Sequence, residues 1–214
     1  MKNFKVAIDG PAGSGKSTIS KKIAAQLNFS HIDTGAMYRA VTLHAMNLGI
    51  DLSDEKNYDF LDEIEVLYLN NKILLNGIDV SKEIRDPEVT SKVSLVSSLK
   101  IVRDKMVDLQ KKAASQGLVI MDGRDIGYNV LPDADLKIFL TASIECRALR
   151  RHKELPGSNL QELKEDLVKR DYADSNRKES PLKKADDALL LDTTNMTIDE
   201  VISYIICLIL ERMN

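Results

Sequence analysis

Gly10-Pro11-Ala12-Gly13-Ser14-Gly15-Lys16-Ser17 is a complete G-x-x-x-x-G-K-S/T pattern. It follows the apolar run Phe4, Val6, Ala7, Ile8 and opens a helix-like stretch from Thr18 to Leu27. That is the strand, loop and helix context such a loop requires. Glycines at 10, 13 and 15 let the backbone curl so that successive N–H groups turn inward, and the helix adds its positive N-terminal end. Phosphate oxygens are the matching occupants. Residues Gly10 to Thr18 would wrap a nucleoside triphosphate, with Lys16 reaching its β- and γ-phosphates and Ser17 on Mg²⁺. The competing reading, a glycine-rich turn that merely fits the pattern, accounts for neither the strand before it nor the helix after it.

Outward from the loop, strand-like apolar runs recur at Phe4 to Asp9, Phe29 to Asp33, Leu118 to Asp122, Leu136 to Thr141 and Ala188 to Asp192. Helical patterns separate most of them, which predicts an α/β fold built on a parallel five-stranded sheet covered by helices. Several runs end in polar residues, as in Asp9-Gly10, Asp33-Thr34-Gly35, Asp122-Gly123 and Asp192-Thr193. Ligands bind at the carboxyl ends of strands in open α/β sheets, so a site is expected there. Residues 64 to 80 break the alternation and read as a small antiparallel insertion with Asn70-Asn71 and Asn76-Gly77 turns. Helices are expected from about Asp86 to Leu99 and from Val102 to Gln116, the latter stopped by Gly117. Ser158 to Gln161 and Thr197 to Glu200 read as capping boxes for helices running toward Asp171 and Met213.

At 214 residues the chain fits one α/β domain with an insertion or two. A net charge of −3 and a pI near 5.7 argue against a nucleic-acid binder that works by neutralising phosphates. Cys146 and Cys207 lie far apart without metal-ligand spacing and read as reduced thiols of a cytoplasmic protein. Neither a signal peptide nor a membrane span is expected, since the longest apolar run, Val201 to Leu210, is too short to cross a bilayer. His31, His44 and His152 show no metal or triad spacing and read as structural or exposed.

A phosphate loop alone leaves GTPases, ATPases, motors and small-molecule kinases open. The chain has no Asn-Lys-x-Asp guanine-reading motif and no internal repeat. It is rich in arginine around the expected site: Arg39, Arg103, Arg124, Arg147, Arg150, Arg151, Arg170 and Arg177. Guanidinium forks meet phosphate oxygens bidentately, and phosphoryl transfer requires compensation of charge on donor, acceptor and transferring group. A phosphorylated acceptor is therefore expected. The alternatives are a kinase for another small acceptor (UMP, AMP, shikimate or dephospho-coenzyme A) and a non-catalytic nucleotide-binding module, against which the additional arginines speak.

Four segments in order, Asp9 to Thr18 (DGPAGSGKST), Asp33 to Arg39 (DTGAMYR), Asp122 to Gly127 (DGRDIG) and Arg170 to Leu182 (RDYADSNRKESPL), resemble those of bacterial cytidylate kinases. These belong to the nucleoside monophosphate kinase group of phosphate-loop NTPases. The resemblance covers essentially the whole chain, although the stretch from Arg151 to Asn159 is shorter than the family's usual lid tip. It implies a single domain over 1–214 in three parts: a core (about 1–59, 100–146 and 181–214), a monophosphate-binding insertion (about 60–99) and a lid (about 147–180). It also implies transfer of phosphate from ATP with Mg²⁺ to CMP or dCMP, by a monomer without nucleic-acid or membrane partners.

Residue by residue, the resemblance places Thr34, Tyr38 and Arg39 against the bound monophosphate, Arg39 on its phosphate, adds Ser94 to the substrate-binding residues and joins Arg103 to Asp125 in selecting the base. It assigns Arg124 to the acceptor phosphate, Asp125 to the cytosine amino group, Arg170 and Asp174 to the ribose hydroxyls and Arg177 to the phosphates. Lys16, Arg124 and Arg177 become the catalytic set. Read without it, Arg39, Ser94 and Arg103 would be ordinary helix-surface residues, and Arg170, Asp174 and Arg177 a solvated salt-bridge face at four- and three-residue spacing. Asp122 closes an apolar strand as a Walker-B acid would and, with Ser17, is the expected metal site. A plain strand-end turn carboxylate is its bland reading.

Overall fold

The computed structural model describes residues 3–69 and 72–213, which leaves the expected Asn70-Asn71 turn outside the described residues. The chain divides into two compact units, one formed by residues 1–31 with 116–214 and the other by residues 32–115.

The first unit is organised by a five-stranded parallel sheet in the order β2-β6-β1-β7-β8. Its strands are β1 (Phe4–Asp9), β2 (Ser30–Asp33), β6 (Leu118–Gly123), β7 (Leu136–Thr141) and β8 (Leu189–Asp192). β2 begins in this unit, and its last two residues open the second. β1 pairs in parallel with β6 on one side and β7 on the other, in registers such as Ile8↔Asp122 and Ile8↔Ile138. These are the runs expected from the apolar pattern, within a residue or two at their ends. β1 lies at the centre, and the chain proceeds from it first to one edge and later to the other, so its carboxyl end is a topological switch point.

Phe4, Val6 and Ile8 project every second residue from β1 into a core shared with Ile19 and Ile23 of α1 (Lys16–Leu27) and Val201, Ile202, Ile205 and Ile209 of α7 (Ile198–Met213). α7 starts with the expected reciprocal cap. The Thr197 backbone N donates to Glu200 Oε2 at 2.8 Å, and the Glu200 backbone N donates to Thr197 Oγ1 at 3.3 Å. No described helix is long and apolar enough to cross a membrane.

α5 (Ile144–Glu154) and α6 (Leu160–Asn176) complete this unit. The cap of α6 falls one residue later than expected. Asn159 Oδ1 accepts from the backbone N of Gln161 at 2.9 Å and of Glu162 at 3.4 Å. Ser158 turns away, donating to the Leu155 carbonyl at 2.7 Å. An asparagine amide satisfies both orphan N–H groups, which leaves the serine no capping role. α6 also continues beyond Asp171 to Asn176, which keeps Arg170 and Asp174 within one helix.

The second unit holds α2 (Thr34–Asn47), the antiparallel sheet β3 (Val66–Leu69), β4 (Lys72–Leu75) and β5 (Ile78–Asp79), then α3 (Pro87–Val96) and α4 (Lys100–Ala113). The expected insertion is thus three-stranded, with Val66, Ile73 and Leu75 buried. α3 and α4 start and stop close to their expected bounds. Asp86 caps α3 through the Glu88 backbone N at 2.8 Å, and Pro87 takes the first helical position.

Candidate active site

The loop after β1 begins at a contact that tolerates no side chain. A Cβ on Gly10 would lie 2.0 Å from the Leu140 carbonyl oxygen of β7. Gly15, immediately before α1, has a φ of 91°, in the left-handed region that favours glycine. Lys16 is buried, and its Nζ donates to the Pro11 carbonyl at 2.8 Å and to Ser14 Oγ at 3.3 Å, so the loop closes on its own lysine. Burial, reinforced by repulsion from Arg124, lowers the Lys16 ammonium to a pKa of about 7.

Asp9, at the end of β1, performs a task that reading the sequence missed. Its two carboxylate oxygens accept from the backbone N of Ile126 at 2.8 Å and of Gly127 at 2.7 Å. The strand before the phosphate loop therefore holds the peptide that follows Arg124-Asp125. Burial pushes the Asp9 carboxyl up to about 7, partly countered by those two hydrogen bonds.

Ser17 and Asp122, the expected metal pair, are brought together: Ser17 Oγ donates to Asp122 Oδ2 at 2.6 Å. His31 joins them, with Nε2 2.6 Å from Asp122 Oδ1 and its side chain only 4% exposed. The expectation of a structural or exposed histidine thus resolves to a buried one on an acid of the site.

Arg124, Arg170 and Arg177, all partly buried, form a charge network around the buried carboxylates Asp125 and Asp174. Arg124 Nε donates to Asp174 Oδ2 at 2.7 Å. Arg177 approaches Asp125 at 3.5 Å and donates from Nε to the Ser180 carbonyl at 2.7 Å. Asn129 Nδ2 donates to Asp125 Oδ2 at 2.8 Å. Burial alone would raise the Asp174 carboxyl, but Arg124, Arg170 and Arg177 together hold it below the usual carboxylate range. The reading of a solvated salt-bridge face is excluded for Asp174, which is 4% exposed.

α5 and α6 grip the phosphate loop at Ala12. The Ala12 backbone N donates to Asp171 Oδ1 at 3.1 Å, and the Ala12 carbonyl accepts from Arg147 at 2.9 Å. Arg147 and Asp171 pair with each other. Arg150 reaches the Ser14 carbonyl at 3.1 Å and the Thr193 carbonyl at 2.8 Å, whereas Arg151 pairs with Glu154 at the surface.

The second unit carries the other expected residues. Asp33 caps α2 through the Ala36 backbone N at 2.8 Å and meets Arg39 at 3.6 Å, beside buried Thr34 and Tyr38. Arg103, which read as surface without the family resemblance, is 3% exposed. It lies 5.4 Å from the centre of the Tyr38 ring, and its guanidinium donates to the Ser97 carbonyl at 3.2 Å. Ser94 is half-buried in α3.

A loop moulded for phosphates, within electrostatic reach of Arg124 and Arg170, defines the class: a phosphate-loop kinase. The chain belongs to the cytidylate kinase family, whose model matches residues 6–211. It is 51% identical over 213 residues to a cytidylate kinase of Acholeplasma laidlawii, covering 98% of this chain and 96% of that one. It is 51% identical over 210 residues to one of Fusobacterium nucleatum, covering 96% of each. Among solved structures, an uncharacterized protein of Eubacterium ventriosum shares the fold at a TM-score of 0.54 and 14% identity, covering 98% of this chain and 99% of that one. A shikimate kinase of Bacteroides thetaiotaomicron shares it at 0.51 and 13%, covering 97% and 98%.

Proposed function

We propose that this enzyme transfers the γ-phosphoryl group of ATP, with Mg²⁺, to CMP or dCMP. The observation that carries the reading is the pairing of Arg124 with Asp174 and Arg177 with Asp125 in the unit that holds the phosphate loop. A protein that only binds a triphosphate has no second phosphate for those guanidinium groups to neutralise.

The residues present fit both groups. Gly10 packs against the Leu140 carbonyl where no Cβ fits, Gly13 and Gly15 turn the loop at φ of 72° and 91°, and Lys16 Nζ bonds the loop's own Pro11 carbonyl. Ser17 and Asp122 offer a hydroxyl and a carboxylate, hard oxygen donors suited to Mg²⁺. Among the described residues no cluster of three His, Cys, Asp or Glu could hold a metal, which agrees with an ion held by few protein oxygens together with phosphates. When bound, Mg²⁺ supplies charge neutralisation at the transferring group.

Lys16 would bind the β- and γ-phosphates, and Arg124 and Arg177 the acceptor and transferring phosphates. Arg170 and Asp174 would hold the ribose, and Asp125 would accept from the cytosine amino group. Arg103 would join Asp125 in selecting the base, and Thr34, Tyr38, Arg39 and Ser94 would serve the monophosphate. The acceptor phosphate, with its second pKa near 6, is already largely dianionic at neutral pH. Alignment and charge compensation therefore suffice without a strong general base.

The test is a coupled assay of CMP, dCMP, UMP, AMP and shikimate as acceptors with ATP and Mg²⁺. CMP and dCMP should exceed the others by orders of magnitude in kcat/KM, and Asp125→Asn should narrow the CMP/UMP ratio. A different preferred acceptor, or hydrolysis indifferent to every acceptor, would overturn the reading.

A further inference from the structure

The Ser17–Asp122 pair has a third member whose role the proposed function leaves open. His31 stands on β2, and Ser17 in the first turn of α1. Both converge on the carboxylate that closes β6, each at 2.6 Å and on opposite oxygens. An ionised carboxylate only accepts hydrogen bonds, so His31 Nε2 carries a proton and donates it. Held at both oxygens, the carboxylate cannot turn about its Cβ–Cγ bond without losing a bond. The side chains of His31 and Asp122 are 4% and 3% exposed, so water is a poor replacement for either bond.

We propose that His31 is a positioning residue for the metal ion: it fixes the Asp122 carboxylate so that Oδ2, beside the Ser17 hydroxyl, faces the ion that accompanies the nucleotide. The inference rests on the reading of Ser17 and Asp122 as the metal site. His31 acts through Asp122 and needs no contact with metal or nucleotide. Because no group of three His, Cys, Asp or Glu that could hold a metal occurs among the described residues, the orientation of the Asp122 carboxylate matters more than in a cage of several ligands. Hydrogen-bond partners of a metal-binding carboxylate typically change metal affinity by roughly 10- to 100-fold when removed.

The contrast to measure is between Gln and Asn at position 31. Glutamine places its amide nitrogen near the position of Nε2, whereas the shorter asparagine amide corresponds to Nδ1 and falls short of Asp122. Both are polar and preserve the fold better than an apolar replacement. The probes are Mn²⁺ binding by electron paramagnetic resonance with a non-hydrolysable ATP analogue, and affinity for the same analogue in EDTA.

His31→Asn should weaken Mn²⁺ binding by about 10- to 100-fold while metal-free analogue binding stays within about twofold, and His31→Gln should recover most of the loss. Wild-type Mn²⁺ affinity in His31→Asn, or parallel losses with and without metal in both variants, would overturn the positioning role. Asp122→Asn separates the two levels of the argument. If it leaves Mn²⁺ affinity intact, the metal site itself is misplaced. If it abolishes Mn²⁺ affinity while His31→Asn does not weaken it, only the role of His31 fails.

Discussion

Arg124 and Arg147 of the phosphate-loop unit and Arg39 and Arg103 of residues 32–115 make different kinds of contact. In the first, Arg124 bonds a buried carboxylate at 2.7 Å, and Arg147 combines a carboxylate with the carbonyls of Ala12 and Ala142. In the second, Arg39 meets Asp33 at 3.6 Å, and Arg103 leans on the Tyr38 ring at 5.4 Å and on one carbonyl at 3.2 Å. Short charge-assisted bonds such as that of Arg124 lock a guanidinium plane. Side chains that stabilise a transferring phosphoryl group gain from being fixed in advance.

The largest expected effect falls on the buried cation of the phosphate loop. Lys16→Ala should lower turnover by roughly 10²- to 10⁴-fold, and it should leave the thermal stability of the nucleotide-free enzyme equal or higher, because a costly buried ammonium is removed. Near-normal turnover in the folded variant would place the transition-state charge elsewhere. Next comes Asp174→Asn, which leaves Arg124 buried beside a neutral group and should cost about 3 kcal/mol in denaturant unfolding.

Titration of Asp9 and Lys16 in the nucleotide-free enzyme gives a comparable but more gradual effect. Asp9, raised to about 7, keeps a proton in the folded chain that the unfolded chain releases near pH 4, so its contribution to stability falls as pH rises through that window. Lys16, lowered to about 7, loses a proton that the unfolded chain keeps to about pH 10, so its contribution rises above neutrality. Stability of the nucleotide-free enzyme should therefore dip near pH 7, by a few kcal/mol relative to either side. Asp9→Asn should remove the falling limb, and an unchanged profile would mean that Asp9 ionises normally. The smallest effect belongs to the second region. Asp33→Asn retains the cap on α2 and should cost about 1 kcal/mol; a loss equal to that of Asp174→Asn would erase the contrast between the two regions.

Much of this was legible in the residues, and the division has a physical cause. Strands ending in Asp9, Asp33, Asp122 and Asp192 announce themselves through local apolar runs, and the phosphate loop through its glycines. Partnerships across long separations do not. His31 finds Asp122 91 residues away, Asp9 holds Ile126 117 residues away, and Asp171 reaches Ala12 across 159. Each looks like an ordinary polar residue until the sheet order places it. Arg103 sits in a helix whose charged residues suggest solvent, and only packing on Tyr38 reveals its burial. The cap at Asn159 rather than Ser158 is a choice between adjacent residues of nearly equal capping preference.

The clamp on Ala12 also bears on how this enzyme tolerates change. α5 and α6 are each anchored at their loop-facing sides, through Arg147 and Asp171, and Ala148 and Leu167 pack with Ala12 between them. The connection at residues 155–158 is therefore not what holds the two helices in place, and Asn159 after it caps α6. The connection is largely exposed, and Gly157, at a φ of 86°, has open space around its Cα. Doubling the length of such a loop costs only about 0.6 kcal/mol of closure entropy. Over evolutionary time this tip is free to lengthen, shorten or acquire new chemistry, while the two helices that it joins stay registered on the phosphate loop.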